Sequence, residues 1–197
     1  MLDTKGRKII DPVISKIANK CVDLGISANF VTLVAFIIGL IGAYSLYCKQ
    51  YALSIILLWL SGLFDVIDGS VARLSKNQSL LGAQFDIVSD RIVELSYFWA
   101  LALTNKDSVF AIMFLITMAF LSMTIFLTTG MISKNETYKS FYYQAGLMER
   151  TEGFIATTLM IIFKNHLTIV TYVYGILILI TIIQRVIDTI KINRSYS

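Results

Sequence analysis

Two pairs of aspartates lie on either side of a short polar turn between two hydrophobic segments. Asp65 and Asp68 are three residues apart at the end of the first segment, and Asp86 and Asp90 are four apart near the start of the second. Spacings of three and four place each pair on one face of a helix. Because the turn is short, the two helices are expected to pack antiparallel, so that all four carboxylates converge.

Such a carboxylate cluster is typical of metal-assisted chemistry on phosphates. Four carboxylates in a poorly hydrated cleft cannot all ionise unless cations lie among them. Oxygen-only ligand sets suit Mg²⁺ or Mn²⁺, which keep coordination positions for water or substrate phosphates. Arg73 follows Asp68 and could hold a diphosphate. The alternative is structural ion pairing of the acids with Arg73 and Arg91.

Three small residues stand beside the acids. Gly69, Ala72 and Gly82 leave space in which a ligand could approach the backbone. Small residues at helical spacing also allow transmembrane helices to pack closely. The sequence leaves both interpretations open.

The overall composition excludes an ordinary water-soluble domain. The chain has 197 residues, of which 56% are hydrophobic and 15% charged, and its mean hydropathy is +0.72. Soluble domains have about 45–50% apolar and about 25% charged residues. A single proline leaves little room for linkers. We therefore expect an all-α, polytopic membrane protein that forms one domain over residues 1–197.

Six hydrophobic segments each have nearly the length of a transmembrane helix, which needs about 20 residues. Short polar stretches separate them, which predicts a six-helix transmembrane bundle over residues 30–187. The segments are residues 30–47, 52–72, 80–104, 109–131, 146–163 and 167–187.

Positive charges predict the orientation of this bundle. If the N-terminus is cytoplasmic, 13 of the 17 Lys and Arg residues fall on the cytoplasmic side. Only Lys49, Lys106 and Lys164 fall on the other side, and Arg91 lies within the third segment. The positive-inside rule then places both termini and the aspartates at the cytoplasmic face of a cell or inner membrane. The net charge of +4 suits anionic lipid and gives no indication of nucleic-acid binding.

Residues 1–25 have a different pattern from the six segments. Apolar residues recur at helical spacing on one face, with lysines and arginines on the other. This predicts an amphipathic juxtamembrane helix, either lying on the cytoplasmic leaflet or packed against the bundle. Pro12 is a candidate for the first turn of that helix.

The aspartate region resembles the complete signature of the CDP-alcohol phosphatidyltransferases. That signature stands here as Asp65-x2-Asp68-Gly69-x2-Ala72-Arg73-x8-Gly82-x3-Asp86-x3-Asp90. The number and positions of the spans and the amphipathic N-terminal helix are similar as well, so that the resemblance covers nearly the whole chain. Asn29 and Thr32 match the family's Pro-Asn-x-x-Thr entry into the first span, with Ala28 in place of the proline.

The resemblance implies a role for each residue of the motif. Asp65, Asp68, Asp86 and Asp90 would bind two Mg²⁺ or Mn²⁺ ions, and Asp90 would also deprotonate the acceptor hydroxyl. The nucleotide and its diphosphate would be bound by a larger set, in which Gly82 makes room for the cytidine. That set is Asp68, Gly69, Ala72, Arg73, Gly82, Asn29 and Thr32. The family resemblance also implies a homodimer.

Further charged residues have two readings each. Lys134, Lys139 and Arg150 could bind a phosphate on the acceptor, or could be ordinary positive-inside charges. Glu94 continues the stripe of Asp86 and Asp90, and could support the site or pair with Arg91.

The favoured function is metal-dependent transfer of a phosphatidyl group from CDP-diacylglycerol to a small polar alcohol, with release of CMP. The acceptor could be a polyol phosphate such as glycerol 3-phosphate or inositol phosphate. Two alternatives stay open: transfer from a soluble CDP-alcohol to diacylglycerol, and a divalent-cation transporter. An aspartate-rich prenyltransferase is disfavoured by the short chain and by the spacing of the acids.

Overall fold

The computed structural model describes the backbone of residues 2–76, 79–132 and 146–195, and the side chains of residues 11–76, 79–131 and 146–191. Across these ranges the protein is all-helical, which confirms the predicted class, and contains no strand. Short 3₁₀ turns precede α5 and α7, at Lys106–Ser108 and Lys164–His166. The α-helices are α1 (Leu2–Asp23), α2 (Ala28–Tyr47), α3 (Tyr51–Leu74), α4 (Leu80–Thr104), α5 (Val109–Ile132), α6 (Arg150–Ile162) and α7 (Leu167–Ser195).

The chain divides into two compact units. The first, Thr4–Lys106, contains α1 to α4, apart from the first residues of α1. The second unit includes α5 to α7. All the predicted metal and nucleotide residues belong to the first unit.

Contacts between α2, α3 and α4 give the direction of each helix in the first unit. Near one end, Thr32 of α2 bonds to Asp68 of α3. Near the other end, the Tyr97 hydroxyl of α4 donates to the Ser54 carbonyl of α3 (3.0 Å). Helices α2 and α4 are therefore parallel, α3 is antiparallel to both, and the four aspartates lie toward a common end.

Glycines allow α2 to approach the neighbouring helices closely. A Cβ atom on Gly39 would lie 2.6 Å from Val93 Cγ1, and one on Gly42 would lie 2.0 Å from the Tyr97 hydroxyl. The Ser61 hydroxyl, also near Gly39, donates to the Ala35 carbonyl (2.8 Å). This packing fixes the register of the helices that carry the aspartates.

Gly42→Ala is expected to lower the unfolding temperature, because overpacking a tight contact costs about 1–3 kcal/mol. Gly69→Ala is the matched control, since its Cβ would meet only Arg73 Nη1, at 3.5 Å. Replacing an unstrained helical glycine with alanine stabilises a helix by roughly 0.5–1 kcal/mol. Thermal unfolding in detergent, without ligands, should give shifts of opposite sign. Equal shifts would contradict this packing.

Helix α1 packs against α2 and α3 through one side of its surface. Ile14 and Ala18 are 3% and 0% exposed, and form a core cluster with Val31, Ile67 and Val71. On the other side, Val13 and Ile17 are exposed together with Lys16 and Lys20. The prediction that this helix packs against the bundle is thus confirmed for one side of α1. The opposite side of the helix is exposed and carries both apolar and cationic residues. Pro12 lies inside the helix, so its proposed place in the first turn is wrong.

The turn between α1 and α2 is fixed by two capping motifs. Gly25 has a φ of +72°, and the amides of Gly25 and Ile26 donate to the carbonyls of Val22 and Cys21. This is the Schellman pattern, in which glycine avoids the steric cost of a left-handed backbone. The Ser27 hydroxyl then accepts a hydrogen bond from the Phe30 amide and caps α2.

In the second unit, α5 and α7 are parallel. Ser108 bonds to Thr168 near the start of the two helices (2.9 Å), and Thr129 bonds to Thr189 near their end (3.0 Å). Both pairs are 60 residues apart in the chain, so the helices keep one register along their length. The closeness depends on Gly175, where a Cβ would lie 2.6 Å from Phe114 Cε1.

Within the described part of the chain, four helices are long and apolar enough to cross a membrane: Ala28–Tyr47, Tyr51–Leu74, Lys106–Met131 and Lys164–Lys191. Helix α4 has sufficient length but carries four charged side chains, which lower its hydropathy. Helix α6 has 13 residues and is about 20 Å long, shorter than the about 30 Å hydrocarbon core. The six-span count is therefore not confirmed and stays a prediction.

Candidate active site

Three of the four aspartates meet between α3 and α4. One carboxylate oxygen from each of Asp65, Asp68 and Asp86 lies within 4.8 Å of the other two. Asp65 and Asp68 are only 8% and 4% exposed, and Asp86 is half-buried. The helical spacing and the antiparallel packing together produce this cluster, as the sequence predicted for these three residues.

The cluster has the chemistry of a divalent-cation site. Like charges this close to one another disfavour ionisation unless a cation lies between them. Opposite oxygen ligands of one Mg²⁺ ion are about 4 Å apart, similar to the observed spacing. All three donors are hard carboxylate oxygens, which favour Mg²⁺ or Mn²⁺ over softer metals. The residues present therefore fit a divalent ion.

Helix α2 reaches the cluster through a buried hydrogen bond. Thr32 Oγ1 donates to Asp68 Oδ2 at 2.6 Å, and lies 3.1 Å from the Ala28 carbonyl oxygen of its own helix. Thr32 is 5% exposed. The sequence prediction assigned Thr32 to the nucleotide site, whereas its hydroxyl contacts a candidate metal ligand.

Asp90 lies one helical turn beyond Asp86, about 6 Å further along the axis of α4. It is half-buried. Among the side chains that the structure describes, the only group of candidate metal ligands contains Asp65, Asp68 and Asp86, without Asp90. The expectation that Asp90 also binds metal stays a prediction, as does its role as a base.

Gly69, Ala72 and Arg73 occupy the last turns of α3. Arg73 is exposed and its Nη2 donates to the Ser70 hydroxyl (2.9 Å). Gly69 has open space at its missing side chain, where a Cβ would meet only the Arg73 guanidinium. Packing between helices therefore does not explain Gly69, while the space beside it leaves room for a ligand.

Gly82 has a structural explanation that the sequence did not reveal. A Cβ on this residue would lie 2.9 Å from Asn29 Oδ1 and 3.0 Å from Ser79 Oγ. The Ser79 hydroxyl accepts a hydrogen bond from the Gly82 amide and caps α4. Gly82 thus makes room for Asn29 and for the Ser79 cap. The sequence had led us to expect the cytidine of the nucleotide at this position.

Glu94 forms an ion pair with Arg91 on α4. Of the two roles considered for Glu94, support of the site and pairing with Arg91, the structure contains the second. The Arg91 Nη1 atom donates to Glu94 Oε2, three residues further along the helix. One of the two cations considered as partners for the aspartates is therefore bound to Glu94.

The predicted acceptor residues belong to the second unit or lie outside the described residues. Lys134 and Lys139 fall in the latter group. Arg150 is the first residue of α6, is half-buried, and its guanidinium lies 6.0 Å from the centre of the Phe154 ring. The segment before it is tied to α7, because the amides of Leu147 and Met148 donate to Gln184 and Thr181.

Sequence relatives cover most of the chain. It is 27% identical over 188 residues to the archaetidylinositol phosphate synthase of Pyrococcus horikoshii, covering 95% of this chain and 96% of the relative. It is 26% identical over 158 residues to the phosphatidylinositol phosphate synthase of Corynebacterium glutamicum, covering 80% and 72%.

The fold is shared with solved structures of a phosphatidylinositol phosphate synthase. The phosphatidylinositol phosphate synthase of Mycobacterium tuberculosis with CDP-DAG bound superposes with a TM-score of 0.75 and 19% identity, covering 90% of this chain and 94% of that one. The same enzyme in complex with manganese and citrate gives a TM-score of 0.74 and 19% identity, covering 89% of this chain and 88% of the other. At this level of identity, the likeness concerns the fold.

A family model extends across both units. The CDP-alcohol phosphatidyltransferase model matches residues 25–187, which include every signature residue and the acidic cluster. The signature, the clustered carboxylates and this match agree. The chain is therefore an enzyme of the CDP-alcohol phosphatidyltransferase family.

Proposed function

We propose that the protein transfers a phosphatidyl group from CDP-diacylglycerol to a polyol phosphate and releases CMP. The observation that carries this proposal is the convergence of Asp65, Asp68 and Asp86 within the complete family signature. Relatives named as inositol phosphate lipid synthases, and a neighbouring fold solved with CDP-DAG, support the choice of substrates. Inositol phosphate and glycerol 3-phosphate are the candidate acceptors.

In the reaction, the acceptor hydroxyl oxygen forms a bond to the phosphorus that bears the diacylglycerol. The bond from that phosphorus to the oxygen bridging to CMP breaks, and CMP leaves with the bonding electrons. Two bound Mg²⁺ or Mn²⁺ ions would neutralise charge on the transferred phosphoryl group and on the leaving CMP. Asp65, Asp68 and Asp86 would bind these ions, and Asp90 would contact them.

Residues around the cluster have separate tasks in this proposal. Asp90 accepts the proton of the acceptor hydroxyl. Arg73, next to the open space at Gly69, binds diphosphate oxygens through its guanidinium, and Asp68 and Ala72 line the same donor site. Asn29, Thr32 and Gly82 shape the edge of this site, where α2 meets α3 and α4.

The proposed topology has six spans, with the active site and both termini on the cytoplasmic side. Alternating spans require the first and third to be parallel, and the fourth and sixth likewise. The parallel pairs α2 with α4, and α5 with α7, support this alternation. In this proposal, residues 1–197 act as one domain, assembled as a homodimer among membrane lipids. The lysines on the exposed side of α1 face anionic headgroups.

Arg150→Ala is expected to raise the KM for a polyol phosphate roughly 10- to 100-fold, because a hydrogen bond to a charged group contributes about 1.5–3 kcal/mol. Arg150→Lys should keep part of this affinity. The control is Lys106→Ala, since Lys106 is exposed in the turn before α5. The KM is measured at saturating CDP-diacylglycerol and metal. Together with Lys134 and Lys139, Arg150 is proposed to bind the acceptor phosphate. An unchanged KM in Arg150→Ala would contradict this role for Arg150.

The proposed direction of transfer is tested with purified protein in lipid nanodiscs. CDP-diacylglycerol with a cytidine label is incubated with inositol phosphate, glycerol 3-phosphate, inositol or serine, and labelled CMP is measured. A parallel reaction supplies soluble CDP-alcohols and diacylglycerol. The proposal predicts CMP release that requires the lipid nucleotide and a phosphorylated acceptor. CMP release only from the soluble CDP-alcohols would contradict it.

A further inference from the structure

We infer that Thr32 is a positioning residue for Asp68, through which α2 controls the geometry of the metal cluster. This inference rests on the proposed function, because it assumes that Asp68 binds a divalent ion. It assigns Thr32 a task different from the nucleotide contact that the family resemblance implied. Its basis is the 2.6 Å hydrogen bond from Thr32 Oγ1 to Asp68 Oδ2.

The hydroxyl hydrogen of Thr32 has two possible acceptors. The Ala28 carbonyl oxygen is 3.1 Å away and Asp68 Oδ2 is 2.6 Å away. A length of about 2.5–2.7 Å is typical of a hydroxyl that donates to an ionised carboxylate. The single hydrogen is therefore committed to Asp68, and Thr32 has none left to donate to a phosphate oxygen of the nucleotide.

Burial makes this bond consequential. Thr32 and Asp68 are 5% and 4% exposed, so water is poorly placed to replace the hydroxyl as a partner. The bond from Thr32 to Oδ2 restrains the orientation of the Asp68 carboxylate beside Asp65 and Asp86. Outer partners of this kind orient metal ligands, and their loss typically lowers metal affinity 10- to 100-fold.

The backbone around Thr32 is itself well fixed. Ser27 caps α2 one turn earlier, and Val31 belongs to the core shared with α1 and α3. Threonine is branched at Cβ, which limits its χ1 in a helix to two common rotamers. The hydrogen bond to Asp68 then favours the rotamer that presents the hydroxyl to the carboxylate. Helix α2 therefore presents Oγ1 to Asp68 from a rigid support.

The test compares Thr32→Val with Thr32→Ser in purified protein, using Mn²⁺ binding measured by electron paramagnetic resonance without nucleotide. Valine keeps the shape but removes the hydroxyl, and we expect 10- to 100-fold weaker Mn²⁺ binding. Serine keeps the hydroxyl and should restore most of the affinity. Ser45→Ala is the matched control, because Ser45 is a buried hydroxyl of α2 that donates to the Ile41 carbonyl of its own helix.

Kinetics separate positioning from nucleotide contact. At saturating Mn²⁺, Thr32→Val should recover activity with an unchanged KM for CDP-diacylglycerol. Wild-type Mn²⁺ affinity in the valine variant, or a raised KM that excess Mn²⁺ does not correct, would overturn the inference. If Thr32→Val does not fold, the Thr32→Ser and Thr32→Ala pair provides the same comparison. Failure of the wild-type protein to bind Mn²⁺ would instead contradict the proposed function.

Discussion

Asp90→Asn is expected to reduce kcat by two to four orders of magnitude, the range typical of a lost general base. Asparagine has nearly the shape of aspartate, but cannot accept the proton of the acceptor hydroxyl. Asp90 lies one turn beyond Asp86 and outside the group of three clustered carboxylates. Removing its charge should therefore affect the chemical step more than binding of the metal or donor.

Three measurements on Asp90→Asn test this expectation. Steady-state kinetics at saturating substrates give kcat, Mn²⁺ titration gives metal affinity, and labelled CDP-diacylglycerol gives donor binding. The control is Asp107→Asn, which removes a carboxylate from the exposed turn before α5. Substantial residual turnover would exclude the base assignment. Loss of Mn²⁺ binding would make metal binding, which the proposal gives Asp90 as a lesser contact, the main role of Asp90.

Asp86→Asn is expected to abolish detectable transfer by removing a carboxylate from the cluster itself. The loss of Mn²⁺ affinity should exceed the roughly 10- to 100-fold effect of losing an outer partner. Without metal, the same variant should unfold at a higher temperature than the wild type, because close carboxylates repel one another. Added Mn²⁺ should raise the unfolding temperature of the wild-type protein much more than that of the variant.

The higher unfolding temperature without metal and the weaker stabilisation by Mn²⁺ together distinguish a metal site from structural ion pairing. If Asp86 served only to pair with a cation of the protein, its replacement would lower the unfolding temperature with and without metal. Glu94→Gln is the matched control on the same helix, since Glu94 is paired with Arg91. It should lose stability under both conditions and keep its response to Mn²⁺.

The helices were largely predictable, because long apolar segments separated by short polar turns leave few alternatives. The third and fourth segments, for example, agree with α4 and α5 to within a residue or two. The fifth was predicted to begin at residue 146, whereas α6 begins at Arg150. The reason is tertiary: amides of the preceding residues donate to Thr181 and Gln184 of α7, which local sequence does not reveal.

The N-terminal helix shows where a hydrophobic pattern reaches its limit. Its apolar residues cover a wide stripe, in which Ile14 and Ala18 pack on the bundle while Val13 and Ile17 stay exposed. A lipid surface and a protein surface select the same residue types. The pattern therefore predicted the helix and its apolar stripe, and could not choose between the two neighbours.

In the candidate site, the spacing of the aspartates predicted the convergence of three of them. The contacts of Thr32 and Gly82 were not predictable in the same way. Thr32 and Asp68 are 36 residues apart, and Gly82 meets Asn29 only because α2 and α4 are parallel. A signature residue near a ligand site can contact the residues that bind the ligand, or the ligand itself. The packing of the helices shows which of the two contacts it makes.

The most direct test of a metal-dependent active site is the number of Mn²⁺ ions bound per chain. Mn²⁺ is titrated into the purified protein with CDP-diacylglycerol present, and electron paramagnetic resonance follows the free and bound ion. We predict two ions per wild-type chain, and loss of both from the variant in which Asp65, Asp68 and Asp86 are all asparagine. Absence of bound Mn²⁺ in the wild type, or unchanged binding in the triple variant, would contradict the proposed site.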